Sequence, residues 1–285
     1  MPAVLGGILF MVLASCAQEA APTTPEVPAA TSTAVAPTAA FTPLPPATRT
    51  PSPTSTPAPS PVPPPTSAAV PRLGEIPSPF QKFSPLLSVT IDGDYLIIRT
   101  TGVPDHPSPY FSRSDSRYEP YNGSNVYFRQ NPNQIAAQSL VLRLPLHPQK
   151  SDHLVPTPLG PIGVAINGVP LFNQYAGPNR PLTQEVDSFD QHNGHPQMTG
   201  MYHYHVEPTS LTSRYGRDSL VGFLLDGFPV YGSEEGGQTL RSADLDEFHG
   251  HWHKTTEYPE GIYHYHITAD APYINGTGFY GTTAR

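Results

Sequence analysis

Three blocks of sequence occur twice, in the same order, in the C-terminal half of this 285-residue chain. The last block of each copy reads Gly-x-Tyr-His-Tyr-His. Repeated blocks in a constant order indicate an internal duplication. We therefore expect two copies of one structural unit, over residues 163–207 and 222–281, packed around a pseudo-two-fold axis. The three pairs of blocks are residues 163–172 and 222–231, 190–195 and 246–251, and 200–205 and 261–266.

The pattern of apolar residues favours a mainly β fold with a few short helices. Short apolar runs are bounded by Gly, Pro, Asn and Asp, and no long run has the helical period. Residues 87–100 predict a β-hairpin whose turn is Asp92-Gly93. Residues 140–144 predict a strand, and residues 242–248 a short helix.

The Tyr-His-Tyr-His blocks carry the chemistry of the repeat. Alternate residues of a strand face the same side, so His203 and His205 share one face and Tyr202 and Tyr204 the other. The histidine Cα atoms then lie ~6.5–7 Å apart, close enough for both imidazoles to reach one metal ion. We expect the tyrosines to pack into the core, each with a partner for its hydroxyl. The second copy repeats this pattern with His264, His266, Tyr263 and Tyr265.

His195 and His251 are the natural third ligands of the two histidine pairs. Each follows a glycine, which we expect to let the backbone turn closely. Imidazole-rich sets without thiolate suit Zn²⁺, Cu²⁺ or Ni²⁺, and we expect copper or zinc. Two arrangements stay open: each copy holds its own three-histidine site, or both copies pool their histidines into one site on the axis.

Further polar residues accompany these histidines. Asp190, Asp246 and Asp226 are candidates for orienting a ligand imidazole. The alternative is a turn-capping role for the first two and a hairpin-turn role for Asp226. Some histidines of the repeat have no counterpart in the other copy and are either additional ligands or surface imidazoles: His192, His249 and His253. The histidines outside the repeat are not expected in the site: His106, His147 and His153.

The N-terminal region predicts export and a lipid anchor. Residues 3–14 are almost all apolar, but this run is too short to span a membrane. Leu13-Ala14-Ser15-Cys16 matches a bacterial lipobox, so residues 1–16 are interpreted as a lipoprotein signal peptide with lipidation at Cys16. Residues 17–72 are rich in Pro, Thr, Ala and Ser and predict a disordered tether. Residues 73–285 form the expected globular domain.

Composition limits the partners of this domain. The formal net charge is −8, and four charged residues before position 73 cancel one another, so the domain carries the whole charge. An acidic domain lacks the basic surface of a nucleic-acid binder. We therefore expect a membrane, through the lipid on Cys16, and a metal ion as partners, and no nucleic acid. Cys16 is the only cysteine, so the domain has no thiolate to offer a metal.

Residues 163–281 resemble the YHYH domain family. The resemblance is carried by Gly194-His195, both Tyr-His-Tyr-His blocks and three further stretches: residues 222–232, 245–247 and 271–273. It implies an exported or membrane-attached bacterial protein, without implying a reaction. Members often have cysteine at positions that look equivalent to His192 and Phe248 and near Gly278, where this chain has none.

Three hypotheses for the function follow. The leading one is a metal-binding protein, lipid-anchored on the extracytoplasmic face of a bacterial membrane in the cell envelope, that holds copper or zinc through the repeated histidines. The second is a metal-dependent enzyme, a hydrolase or a copper redox enzyme, in which three histidines leave one position on the metal open. The third is a metal-free domain whose Tyr/His clusters bind another ligand or only pack.

Overall fold

The structure, a computed structural model, describes residues 75–284. The signal peptide, Cys16 and the tether lie outside these residues, so the predictions about them stay predictions. In chain order the strands are β1 (Ser88–Asp92), β2 (Tyr95–Thr100), β3 (Leu140–Pro145), β4 (Lys150–Val155), β5 (Pro161–Ala165), β6 (Pro170–Phe172), β7 (Tyr175–Ala176), β8 (Arg180–Pro181), β9 (Gly194–Pro196), β10 (Tyr202–Tyr204), β11 (Leu220–Leu224), β12 (Pro229–Tyr231), β13 (Glu234–Glu235), β14 (Gln238–Thr239), β15 (Gly250–His253), β16 (Ile262–His266) and β17 (Phe279–Gly281).

Helices are few and short, which together with the strands confirms the mainly β fold class. The α-helix α1 covers Thr209–Tyr215, and 3-10 helices cover Ser78–Lys82, Glu185–Ser188 and Ser242–Asp244. The predicted helix over residues 242–248 is wrong beyond Asp244. From Asp246 the chain turns instead, because the Asp246 carboxylate accepts the backbone N–H groups of Phe248 and Gly250. No helix of the described residues is long and apolar enough to cross a membrane.

The predicted hairpin forms the start of a three-stranded antiparallel sheet in the order β1-β2-β3. Asp92 pairs with Tyr95, so the turn residues are Gly93 and Asp94, one position later than predicted. Gly93 has a φ of 58°, which glycine adopts without strain. β3 confirms the strand predicted at residues 140–144.

An eight-stranded sheet holds both copies of the repeat, in the order β15-β16-β12-β11-β5-β6-β10-β9. From the centre outwards, each half pairs antiparallel, then parallel, then antiparallel. The halves meet at an antiparallel pair of β5 and β11, in which Val164 lies opposite Phe223. Each Tyr-His-Tyr-His strand is therefore second from an edge. The pseudo-two-fold axis itself stays a prediction.

The core is formed by the central strands of the large sheet and the face of the small one. All five residues of β11 are buried, as are four of the five residues of β5. Phe80 and Phe83 pack their rings on Phe223 at centroid distances of 4.6 and 5.6 Å. Leu96 and Ile98 of β2 belong to the same cluster. The strands that carry the histidines therefore lie outside this central core, near the two edges of the sheet.

Candidate metal centres

The first cluster consists of the three histidines predicted from the first copy. β9 and β10 are antiparallel with His195 directly opposite His203, so both side chains project from the same face. His205 follows two positions later and shares that face. Nε2 of His203 lies 3.1 Å from Nε2 of His195 and 3.0 Å from Nε2 of His205. All three residues are buried, with at most 3% of their surface exposed.

The second cluster repeats this arrangement at the other end of the sheet. His251 of β15 lies opposite His264 of β16, and His266 follows on the same strand. Nε2 of His251 is 3.2 Å from Nε2 of His266. The structure thus brings the histidines of each copy together separately. The sequence leaves open whether each copy has its own cluster or both copies pool their histidines. In the structure each copy has its own cluster.

Backbone carbonyls set the tautomer of these imidazoles. Nδ1 of His203 lies 3.1 Å from the carbonyl oxygen of Met201, and Nδ1 of His205 lies 2.6 Å from that of Asn173. A carbonyl oxygen only accepts, so each Nδ1 donates its proton and each Nε2 presents a lone pair. Hydrogen bonds of this kind orient metal-bound histidines in other proteins. In the second cluster, His264 contacts the carbonyl of Ile262 at 3.1 Å and His266 that of Gly232 at 2.7 Å.

His195 has the same tautomer for a different reason. Its Nδ1 lies 2.7 Å from Oγ of Ser188. The Ser188 hydroxyl donates its proton to the carbonyl oxygen of Glu185 at 2.8 Å, so it accepts from His195. All three Nε2 lone pairs of the first cluster therefore converge on one point.

Burial keeps the two histidines of each Tyr-His-Tyr-His block neutral. It lowers the pKa of His203 well below the usual range of histidine and that of His205 to about 4. It also lowers the pKa of His264, and that of His266 to about 4. Near neutral pH no proton therefore lies between the facing Nε2 atoms of His203 and His205. Lone pairs at about 3 Å from one another repel, unless a cation sits between them.

A glutamate completes each cluster, and the sequence analysis did not identify either one. Oε1 of Glu185 lies 3.2 Å from Nε2 of His195, and Oε2 of Glu235 lies 3.1 Å from Nε2 of His251. The two glutamates come from positions that the repeat does not match: Glu185 begins a 3-10 helix, whereas Glu235 lies on β13. With the 59-residue offset of the first block, Glu235 corresponds to Ala176. Comparing the copies therefore could not reveal them.

Neighbouring groups lower the pKa of both glutamates. The contact with Nε2 of His195 has the largest effect on Glu185, and it lowers the pKa of that carboxyl. Burial disfavours the charge of Glu235, but contacts with His253 and His251 lower its pKa overall. Both groups are therefore anionic near neutral pH, as metal ligands must be.

The donor atoms of each cluster fit one first-row transition-metal ion. In both sets the four ligand atoms lie within 4.8 Å of one another. Neighbouring atoms are 3.0 to 3.3 Å apart. Ligands about 2.0–2.1 Å from a tetrahedral Zn²⁺ would be about 3.3 Å apart. Nε2 of His264 is buried and has no hydrogen-bond partner among the described residues, which such an ion would supply. Each cluster could thus hold a metal ion.

The three aspartates contact tyrosines and backbone amides rather than the imidazoles, unlike the role expected from the sequence. Asp190 accepts from the Tyr202 hydroxyl at 2.8 Å, and Asp246 from Tyr263 at 2.8 Å. Asp226 accepts from Tyr265 at 2.6 Å. Tyrosines and histidines alternate on each strand, so a carboxylate placed behind the tyrosine face cannot reach the other face. The histidines of the Tyr-His-Tyr-His blocks are oriented by backbone carbonyls instead, and His195 by the Ser188 hydroxyl.

The remaining histidines of the repeat lie outside both sets of four ligand atoms. His253 contacts Glu235, with Nδ1 2.9 Å from Oε1. His249 is buried rather than exposed, and its Nε2 lies 3.0 Å from Oγ1 of Thr268. His192 packs beside His106, which is itself buried and contacts the Tyr204 hydroxyl at 2.8 Å behind the first cluster.

The glycine before the third histidine has a packing role. Neither Gly194 nor Gly250 has a positive φ, and the tight backbone position falls one residue earlier, at Asn193 and His249. A Cβ atom on Gly194 would lie 2.4 Å from the Tyr202 ring, and one on Gly250 would lie 2.5 Å from the Tyr263 hydroxyl. These glycines make room for a tyrosine of the neighbouring strand, which corrects the expectation of a close turn.

Comparison with protein families confirms the resemblance described from the sequence. Residues 141–239 and 233–279 match the family model described as YHYH protein. The chain carries a YHYH domain. The matched residues span all eight strands of the large sheet and both clusters of this YHYH domain. Searches of curated proteins and of solved structures found no significant match.

Proposed function

We propose that the YHYH domain is a metal-binding protein that holds two copper or zinc ions, one in each His₃Glu cluster. The observation that supports this most directly is the orientation of the imidazoles. Carbonyl oxygens fix Nδ1 as the donor in both strand histidines of each copy, so four Nε2 lone pairs are aimed at two points. The facing lone pairs repel one another when no ion is present, and a cation between them would use them as ligands.

The number of donors favours binding over catalysis. Catalytic zinc centres keep one coordination position open, whereas closed four-ligand sets are typical of sites that only hold the ion. In each cluster a carboxylate accompanies three imidazoles. The imidazoles of the first cluster are also enclosed, because Phe172 stacks on His203 and Phe189 packs against His195.

A metal-dependent enzyme is the second candidate, and one observation favours it. The side chain of His251 is 29% exposed, and a cleft of about 200 Å³ lies beside the second cluster. If Glu235 left the metal, a water or substrate could take its position. An exchangeable water on the metal, together with turnover of a substrate, would favour this reading.

The proposed location comes from the N-terminal sequence. A lipid on Cys16 would anchor the protein on the extracytoplasmic face of a bacterial membrane, and the Pro-rich segment would carry the domain away from it. A role in buffering or delivering metal in the cell envelope fits that location.

Metal content measured by mass spectrometry tests the proposal. The full chain, carrying Cys16→Ser to remove its only thiol and no histidine tag, is equilibrated with Cu²⁺ and Zn²⁺ and then desalted. We expect two ions per chain. The double variant His203→Ala, His205→Ala and its counterpart His264→Ala, His266→Ala should each retain one.

The matched control replaces two exposed histidines outside the clusters, His147→Ala and His153→Ala, and should keep both ions. A metal-free wild type whose melting temperature is unchanged by either ion would refute the proposal. The Tyr/His clusters would then be a packed core or a site for another ligand.

A further inference from the structure

The two clusters differ in their access to solvent. In the first, all three histidines are at most 3% exposed, and the rings of Phe172 and Phe189 cover them. In the second, His264 and His266 are equally buried, but the His251 side chain is 29% exposed. The position that corresponds to Phe189 under the 56-residue offset of the second block is Leu245. The second cluster therefore exposes one of its imidazoles, whereas the first exposes only its carboxylate, because the Glu185 side chain is 28% exposed and lines a separate cleft.

A polar cleft of about 200 Å³ adjoins the second cluster. Three carboxylates and one lysine line it, so its formal charge favours a cation. Glu235 and His266 of the cluster are part of the lining. The other charged lining residues are Asp218, Glu234 and Lys254.

His253 also lines this cleft. It lies two residues after His251 on β15, and its side chain is 58% exposed. Glu235 joins it to the cluster: Oε1 is 2.9 Å from Nδ1 of His253 and 3.3 Å from Nε2 of His264, while Oε2 is 3.1 Å from Nε2 of His251. One carboxylate thus touches an exposed imidazole and the buried ones. The first cluster has no comparable exposed histidine on its glutamate among the described residues.

The segment that carries Glu235 is suited to small movements. β13 and β14 are two residues each, and the turn between them is Gly236-Gly237. Both glycines have positive φ, and an added Cβ would meet no atom within 4 Å at either. Glu235 is therefore held by a short hairpin with an unpacked turn, whereas Glu185 is held by a 3-10 helix.

We propose that the second cluster is the exchanging site, and that His253 and Glu235 form an outer position through which a divalent transition-metal ion enters and leaves it. The first cluster retains its ion. This inference rests on the proposed metal-binding function. It gives the two sites different roles, one that holds the structure together and one that takes up and releases the ion.

Transfer of zinc to a chelator tests the inference. The full chain with Cys16→Ser is loaded with two equivalents of Zn²⁺ and mixed with a chromophoric chelator, at concentrations where the rate no longer depends on the chelator. We expect a fast and a slow phase of one zinc each. The fast phase should be absent from His264→Ala, His266→Ala and present in His203→Ala, His205→Ala.

The variant His253→Ala then shows whether His253 is an outer position on the exchange path or a permanent ligand of the ion. A residue on the path changes uptake and release together, so both rates should fall about tenfold, which corresponds to a barrier about 1.4 kcal/mol higher in both directions, while the Kd stays unchanged. His153→Ala, an exposed histidine elsewhere, should change neither rate.

Four outcomes would overturn the inference: a single phase, a fast phase that belongs to the first cluster, an unchanged rate in His253→Ala, or faster release with a weaker Kd in that variant. All four leave the two-ion stoichiometry intact. Failure to load any zinc would instead contradict the proposed function, so the two failures are distinguishable.

Discussion

The Tyr265 hydroxyl donates a 2.6 Å hydrogen bond to Oδ2 of Asp226, where the first copy pairs Tyr204 with Asn167 at 3.2 Å. Behind the histidine strand, the tyrosine hydroxyl thus donates to a carboxylate in the second copy and accepts from an amide in the first. Asp226 is fully buried, and Gly281 N–H also donates to it. Burial outweighs these hydrogen bonds and raises the pKa of Asp226 to about 6.

This raised pKa predicts a pH-dependent effect of Asp226→Asn. The folded protein holds the proton on Asp226 more tightly than the unfolded chain does. In the wild type, the contribution of this carboxyl to the free energy of unfolding is therefore fully present below pH 4 and is lost as the pH rises through 6. Asn has no carboxyl to titrate. When the pH is raised from 4 to 7, the unfolding free energy of the variant should therefore increase by about 3 kcal/mol relative to that of the wild type. Urea denaturation of both proteins with a chelator present measures this, and a pH-independent difference would contradict it.

Tyr202→Phe should lower the stability of the fold without changing the number of metal ions bound per chain. The variant leaves the buried Asp190 carboxylate without a hydroxyl that donates at 2.8 Å, which costs about 1–3 kcal/mol. The imidazoles lie on the opposite face, so two zinc ions per chain should remain. Tyr127→Phe, at an exposed tyrosine, should change neither property. A loss of zinc from Tyr202→Phe at temperatures where it stays folded would place Asp190 in the metal site after all.

Gly194→Ala should destabilise the first half of the sheet. The new Cβ would lie 2.4 Å from the Tyr202 ring, and such overpacking costs about 1–3 kcal/mol. Gly177→Ala is the matched control, because an added Cβ there meets no atom within 4 Å. Thermal unfolding of the two variants compares them directly. Equal melting temperatures would show that the glycine has no packing role.

Zinc should stabilise the folded protein more than the unfolded chain. Binding to the folded state adds about 2.7 kcal/mol per site when free metal is 100 times the Kd. The melting temperature should rise with Zn²⁺ and return to its original value with excess chelator. Mg²⁺ at the same concentration is the control, because imidazole sets do not favour it. An equal effect of Mg²⁺ would argue against ligation by histidine.

The lipid anchor gives a prediction that does not depend on the clusters. In a bacterial host, the wild type should incorporate labelled fatty acid and sediment with membranes, whereas Cys16→Ser should take up no label. The double variant His203→Ala, His205→Ala should be labelled like the wild type. Label in the Cys16→Ser variant would contradict lipidation at this residue.

The sequence alone determined the features that depend on local pattern. Strand periodicity placed His203 and His205 on one face and Tyr202 and Tyr204 on the other, because alternation is a property of any strand. The order of the repeated blocks singled out His195 and His251, and the YHYH resemblance rested on the same residues. These predictions needed no knowledge of how distant segments pack.

Only the tertiary structure decided the remaining features. It gave each copy its own cluster, added Glu185 and Glu235 from positions that the repeat does not match, and turned Asp190 towards Tyr202 instead of an imidazole. It also covered His195 of the first cluster with Phe189 and left His251 of the second exposed. Which side chain reaches a given point depends on the paths of loops and on the order of strands in the sheet. Neither is encoded in the period of a single segment.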